Sequence, residues 1–346
     1  MMDMKRRITV LAFASCMLVS CYGDYFGDYE YSAAYTPYQY DLRTFVCGEK
    51  VQLSFTAALA GVIENTEDRA VSIEIDNSLL ASDLSVFDPE GKAAPFKAID
   101  GFLGKGSLGA ISQDYVTQEV KAAGLDAFEA LPEEYYSYTC DKAFRKGRHT
   151  AKLSLSPTEA MFSDPKMHAP HYALAFVIRS ADVDSLLVEK SFQIMALKVE
   201  NRFWGNWYHG GRRVVRKNTT AEILSDTHYA LELPQADSRV YSLTTESVNS
   251  VICDKISNMS GRLRLTFAED GTVAVEDADG LRQLRQIPGI ISHHNGAALI
   301  QDREIYLNYA WSNNDGTTTY VTDTLAFRNR IRDGINEWQD ENSENY

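Results

Sequence analysis

Cysteine is scarce in this chain and nowhere spaced as CxxC: five are spread over 346 residues, at positions 16, 21, 47, 140 and 253. That excludes a disulfide-stapled scaffold and a cysteine-ligated zinc site. Long apolar runs are missing as well. Outside the segment from Ile8 to Val19, nothing approaches the roughly 18 apolar residues of a membrane-spanning helix. Positive charge is in deficit, with 34 Lys and Arg against 48 Asp and Glu, a formal net charge of −14. Such a surface repels nucleic-acid phosphates and anionic headgroups, so nucleic acid is excluded as a partner. Catalytic signatures are also wanting. There is no G-x-S-x-G and no HExxH. No nucleophile constellation and no cofactor motif in its proper context emerges, so the expectation is a non-enzyme without a cofactor.

What is present begins at the N-terminus. A basic head, Lys5-Arg6-Arg7, precedes the apolar run, which has the length and flanks of an export signal rather than of a finished membrane span. It ends in Leu18-Val19-Ser20-Cys21. That block resembles the bacterial lipobox, which implies that residues 1–20 are a signal peptide and that Cys21 carries the lipid. Residues 21–37, rich in Gly, Asp and Tyr, have no apolar period and read as a tether. Their early acidic residues are similar to the surface-export signals of Bacteroidetes lipoproteins. The expected location is the outer membrane, facing outward, with the lipid as sole membrane contact.

A chain of this length suggests two domains. From about Thr36 to Val199, runs such as Val51–Phe55, Val71–Ile75 and Ala151–Leu155 alternate apolar and polar residues, the period of half-buried strands. Tyr172–Ile178 and Ser191–Val199 are denser in apolar residues. These strands predict an immunoglobulin-like β-sandwich over residues 38–200. Ser112–Ala130 fits a helical face instead, interrupted by Gly124, and reads as a helical insertion. A new pattern starts after Glu200-Asn201-Arg202. Arg262–Phe267 and Thr272–Val275 flank Asp270-Gly271, a strong hairpin signal, and a second hairpin turns at Asn313–Gly316. Consecutive hairpins predict an antiparallel barrel over residues 201–335. Residues 336–346 are polar and acidic and read as a disordered tail. Of the cysteines, Cys47 and Cys140 could pair within the first domain; buried free thiols are the alternative.

The first domain, through Tyr40-Asp41-Leu42, Leu131–Tyr136, Lys146-Gly147 and Tyr172–Ile178, resembles an N-terminal domain of unknown function common in Bacteroidetes surface lipoproteins. The second, through Gly205-Asn206-Trp207-Tyr208 and Ile305–Tyr309, resembles the lipocalin-like domain that often follows it. The resemblance implies association with an outer-membrane glycan capture system and a transporter partner there. It also implies that Trp207 of Gly205-Asn206-Trp207 plugs one barrel end beneath an arginine from a late strand, Arg328 or Arg330. Domains like the first sometimes precede a chitinase-like glycosidase with a D-x-x-D-x-D-x-E motif, which this sequence lacks.

Other motifs yield to plainer readings. Gly104–Gly109 matches G-x-G-x-x-G but lacks the βαβ context of a dinucleotide site and reads as a loop. His168, His171, His293 and His294 have no third ligand nearby and read as structural or surface histidines. Asp277-Ala278-Asp279-Gly280 lacks the terminal glutamate of a calcium loop and reads as a turn. The richest local signal is aromatic. Trp204, Tyr208 and Trp311 are candidates for stacking on the apolar faces of sugar rings, with Asn206, Arg212 or Asp315 bonding the hydroxyls. The leading expectation is therefore an accessory glycan-binding protein. A lipocalin-type carrier of a small apolar ligand, or a structural or adhesive surface protein, are the alternatives. An open lumen would favour the carrier, a filled one the glycan binder.

Overall fold

The computed structural model describes residues 31–49, 52–80, 113–231 and 239–340. The signal segment, Cys21, residues 22–30 of the tether, the Gly104–Gly109 motif and residues 341–346 lie outside them. The described chain is mostly β, as the alternating patterns predict.

The first part holds β1 (Ala33–Tyr35), β2 (Tyr40–Val46), β3 (Leu53–Ala60), β4 (Arg69–Ile75), helix α1 (Gln113–Ala123), β5 (Glu129–Ala130), β6 (Tyr136–Cys140), β7 (Ala143–Phe144), β8 (Thr150–Pro157), β9 (Tyr172–Ala181), β10 (Ser185–Leu186) and β11 (Phe192–Glu200). They form two sheets, ordered β10-β1-β3-β8-β6 and β2-β11-β9-β4-β7. The alternating strand β3 buries Leu53, Phe55, Ala57 and Leu59 against the second sheet, where Phe55 stacks on Phe176 with ring centroids 5.2 Å apart. The second sheet is covered on both faces. Its far face packs Ala173, Ala175, Ile194 and Ala196 against Val116 and Val120 of α1. That double burial explains why β9 and β11 are continuous apolar runs rather than alternating ones. The helix is shorter than its pattern suggests: it stops at Ala123, before Gly124 at φ +64, a left-handed position natural to glycine after a helix.

The second part holds β12 (Gly205–Lys217), β13 (Ile223–Tyr229), β14 (Val240–Ser247), β15 (Ser250–Ile256), β16 (Met259–Phe267), β17 (Val273–Asp277), β18 (Arg285–Gln286), β19 (His293–His294), β20 (Glu304–Ser312), β21 (Thr317–Arg332) and β22 (Ile335–Glu337). Nearly all belong to one antiparallel sheet, ordered β17-β16-β15-β14-β12-β21-β20-β18. The sheet curls until its ends meet: Thr272 bridges His293, and the Val273 amide donates to the Ser292 carbonyl at 2.9 Å. Both expected hairpins form, at Asp270-Gly271 and at Asn313–Gly316. Inward-facing side chains, among them Tyr241, Leu243, Leu265, Leu307, Tyr309, Val321 and Leu325, pack into one buried cluster inside the curl.

Two expectations are corrected, and one open alternative is decided. The tether reading of residues 21–37 does not hold to its end: Ala33 and Ala34 are buried in β1, which pairs with β3 and β10. Two small residues fit between β3 and β10 but are too short a run to show a period. Nor is the tail irregular from residue 336. Asp333-Gly334 makes a two-residue turn, and β22 returns along β21 with Arg330 opposite Glu337. Of the two readings left open for Cys47 and Cys140, the free thiols hold; Cys47 sits in the sandwich core, while Cys140 is half-buried at the end of an edge strand of the opposite sheet and donates to the Ile73 carbonyl at 3.7 Å.

Candidate functional site

The segment between the two parts is tightly held. Asn201 donates through Nδ2 to the carbonyls of Ser247 (3.0 Å) and Val248 (2.7 Å), and its Oδ1 accepts from the Phe203 amide at 2.8 Å. Arg202 donates to the Ala297 carbonyl at 2.9 Å. These bonds seat Phe203 and Trp204 at the base of the curled sheet. β12 starts at Gly205, where φ is +133 and a Cβ would fall 2.9 Å from the Asn329 carbonyl, so a side chain has no room.

The pleat then sorts the aromatic cluster, sending Trp207 and His209 inward and Asn206 and Tyr208 outward. Trp207 is 0% exposed, donates from Nε1 to the Phe203 carbonyl at 3.0 Å, and meets Phe327 edge-on at 5.5 Å. It is a core residue, and the two arginines assigned to it lie over other rings. Arg328 lies over Tyr208 at 5.8 Å and Arg330 over Trp204 at 5.9 Å. The reason is register: Phe327 stands opposite Trp207, so the next residue on β21 faces the other side. Trp311 lies outside the Trp204 cleft and shows only an edge, to a separate groove that it lines with Arg282 and Arg285. It is 6% exposed, stacked on Tyr309 inside the curl, with the Arg282 guanidinium 5.8 Å from its ring.

Trp204 remains at a surface, and it lines a cleft of about 420 Å³ where α1, β11, β12, β14 and β21 converge. The floor is ionic. Lys198 Nζ donates to Glu119 Oε2 at 2.7 Å and lies 3.1 Å from Glu200 Oε1. Burial opposes the lysine's charge, but Glu200, Tyr115 and Glu119 outweigh it and hold its pKa above the usual value. Burial likewise pushes the Glu200 carboxyl up, against the pull of Lys198 and of the Thr245 hydroxyl, which donates to it. Trp204 has Lys198 Nζ 5.7 Å from its ring centre, in addition to Arg330. Asn206, Ser242 and Thr244 add amide and hydroxyl groups to the lining. His168 adds an imidazole whose pKa burial lowers, and whose buried Nε2 has no hydrogen-bond partner among the described residues.

The cleft can therefore offer a ligand an aromatic surface, fixed charges of both signs, an amide and hydroxyls. Its size falls within the range of small-molecule sites. Of the aromatic candidates it gathers only Trp204; Tyr208 sits farther along the outer face of β12. Sequence reasoning missed Lys198, Glu200 and Glu119 and set His168 aside, because the four come from three elements far apart in the chain. One signal was legible: a lysine inside the apolar run of β11 must find a counter-charge once buried.

The remaining motifs take their plainer readings. Asp277 Oδ1 accepts from the Asp279 amide at 2.9 Å, while Asp279 pairs with Arg262 at 2.7 Å and Asp277 with Arg282 at 3.2 Å, which makes a turn. His293 stacks on Tyr306 at 4.8 Å, and His294 lies against Phe203 at 5.0 Å. Inside the curl, unforeseen from sequence, His209 Nε2 lies 3.1 Å from Asp323 Oδ1 and its ring stacks on Tyr241 at 4.3 Å. Burial holds the Asp323 carboxyl above its ordinary range.

No family model matches this sequence, and no curated protein matches it. Among solved structures, the chain is similar to a Bacteroides ovatus protein of unknown function, with a TM-score of 0.59 at 17% identity over 90% of this chain and 98% of the other. A multidomain Bacteroides ovatus protein including DUF1735 aligns with a TM-score of 0.40 at 11% identity, over 89% of this chain and 100% of the other. An auxiliary nutrient binding protein from Bacteroides thetaiotaomicron aligns with a TM-score of 0.37 at 10% identity, over 86% of this chain and 95% of the other. The first likeness shows a fold shared along nearly the whole chain; the other two are too distant to add to it.

Proposed function

We propose that this chain is a lipid-anchored binding protein of the bacterial cell surface that captures glycan in the Trp204 cleft, as an accessory to an outer-membrane transporter. The observation that carries the reading is the cleft itself, in which the Trp204 and Tyr115 rings adjoin the Asn206 amide, the Ser242 and Thr244 hydroxyls and fixed charges of both signs. Sugars present apolar ring faces beside hydroxyls that both donate and accept, and such a mixed lining suits them. The two-sheet sandwich and the curled sheet are read as immunoglobulin-like and lipocalin-like units. The carrier alternative is disfavoured because buried side chains occupy the inside of the curl. Hydrolysis is disfavoured because the cleft carboxylates are already engaged, Glu119 by Lys198 and Glu200 by Lys198 and Thr245.

The chain lacking residues 1–20 is expected to be retarded in affinity gels by at least one neutral polysaccharide, and Trp204→Ala to abolish that retention while keeping its melting temperature. Free migration of the intact chain through every polysaccharide tested would overturn the glycan reading. The anchor rests on Lys5-Arg6-Arg7, the apolar run and Cys21. Cys21→Ala is expected to release the protein from membranes; persistence in the membrane pellet after a carbonate wash would rule the lipid anchor out.

A further inference from the structure

β12 leaves the cleft at Gly205 and ends at Lys217, roughly 40 Å away at the rise of an extended strand. At that far rim, two adjoining grooves of about 450 and 300 Å³ share Arg285 and Ser312 in their lining. Four cations line them, Arg216, Lys217, Arg282 and Arg285, and no carboxylate does. This is unexpected in a chain with 48 acidic and 34 basic residues. Elsewhere on the second unit, the exposed arginines Arg212 and Arg262 are held by acids, Asp226 (2.8 Å) and Asp279 (2.8 Å).

Two rim cations are spoken for: Lys217 pairs with Glu222 at 2.7 Å, and Arg282 with Asp277 at 3.2 Å. The other two are not. Arg285 donates to neutral hydroxyls, Ser312 Oγ at 2.9 Å and Thr318 Oγ1 at 3.5 Å. Arg216 lies over the Tyr320 ring at 5.7 Å. Among the described residues neither has a carboxylate within ion-pair distance. Asp226, which also feels Arg216, is committed to Arg212. Both arginines line the smaller groove, and both are exposed. The guanidinium fork matches the paired oxygens of a carboxylate or sulfate, and neighbouring hydroxyls can complete the bonds. The acidic remainder of the surface is screened within about 10 Å at ordinary salt, so it repels a bound anion here only weakly.

We propose that this rim is a binding site for the oxyanions of an acidic saccharide, with Arg216 and Arg285 as its principal contacts. The inference rests on the reading of the protein as a glycan binder and adds a second, charge-selective subsite remote from the Trp204 cleft.

The test is affinity electrophoresis of the chain lacking residues 1–20 in gels containing polygalacturonate (carboxylate only), dextran sulfate (sulfate only) or neutral dextran. Retention by one or both charged polymers is expected, weakening as salt rises. Arg285→Ala and Arg216→Ala should each lower it about tenfold, the usual weight of one charge-assisted bond. Arg145→Ala makes the same charge change on the first unit and should leave it unaltered. The polymer retained identifies the anion. Failure of both charged polymers to retard the chain overturns the inference, as does undiminished retention in the Arg216→Ala, Arg285→Ala double variant with an unchanged melting temperature. If neutral polysaccharide alone is retained and Trp204→Ala abolishes that, the cleft reading stands and the rim proposal falls. If nothing is retained, both fall.

Discussion

Trp204 and Trp207 stand three positions apart and meet opposite fates. The Gly205-Asn206-Trp207 pattern at the start of a strand marked Trp207 as a core residue, and the pleat of β12 places it there. Trp207→Ala is expected to lower stability by about 3–5 kcal/mol, the cost of truncating a large buried aromatic. Urea unfolding measures it, and a loss below about 1 kcal/mol would contradict the core role. Trp311 carries no such mark. Its buried position depends on which face of β20 turns into the curl, and an apolar aromatic suits either face of a strand near a sheet end. Arg328 and Arg330 differ for a similar reason. A local bulge between Asn206 and Trp207 shifts the pairing of β12 with β21, and no sequence pattern announces it.

The hairpin of β21 and β22 shows what a single element adds. Its turn residue Asp333 has φ 52, and the neighbouring Gly334 has φ 78, the left-handed pair of a tight turn. Burial pushes the Asp333 carboxyl up to about 6, with Thr44 and Arg43 pulling it down by less and Asp41 adding to the rise. The ordinary value is 3.8, so the folded chain holds this proton more tightly than the unfolded chain. The associated stability is fully present below about pH 4 and is lost as pH rises through about 6. Asp333→Asn keeps a residue that tolerates the left-handed turn and removes the buried charge. Relative to the parent, the variant should gain stability between pH 4 and pH 7, by at most about 3 kcal/mol. Paired urea titrations at the two pH values test this; a difference independent of pH would refute it.

Across the whole molecule, a buried ionic cluster ties the two units together. Arg330 binds Glu49 through two bonds of 2.8 and 3.0 Å, Arg332 reaches Glu49 at 3.0 Å, and Arg303 lies 3.7 Å away. Glu49 follows β2 in the first unit, while the arginines belong to the second. Glu337 of β22 completes the set by pairing with Arg330 at 2.6 Å. A second unit cut at residue 335 would lose both carboxylates. Glu49→Gln leaves clustered buried guanidiniums short of charge, and a loss of about 3–5 kcal/mol is expected. Calorimetry should also show the two units unfolding at separate temperatures in this variant, where the parent unfolds in one transition. A single transition at the parent's temperature would show that the cluster does not couple them.

The amino-acid sequence by itself determined the mostly β character, the hairpins at Asp270-Gly271 and Asn313–Gly316, the helix beside the sandwich and the core position of Trp207. Each follows from spacing between near neighbours, which is all that backbone periodicity and turn chemistry require. Tertiary structure decided the rest. Lys198, Glu119, Glu200 and His168 meet at one cleft, Glu49 meets three arginines from the far end of the chain, and Arg216 meets Arg285 across a rim. Apart from Lys198 and Glu200, neighbours on one strand, these encounters join residues tens to hundreds of positions apart, and each depends on which strands pair and how far the sheet curls. No local pattern encodes such a meeting. It exists only once the layers have packed and burial has made each unpaired charge costly.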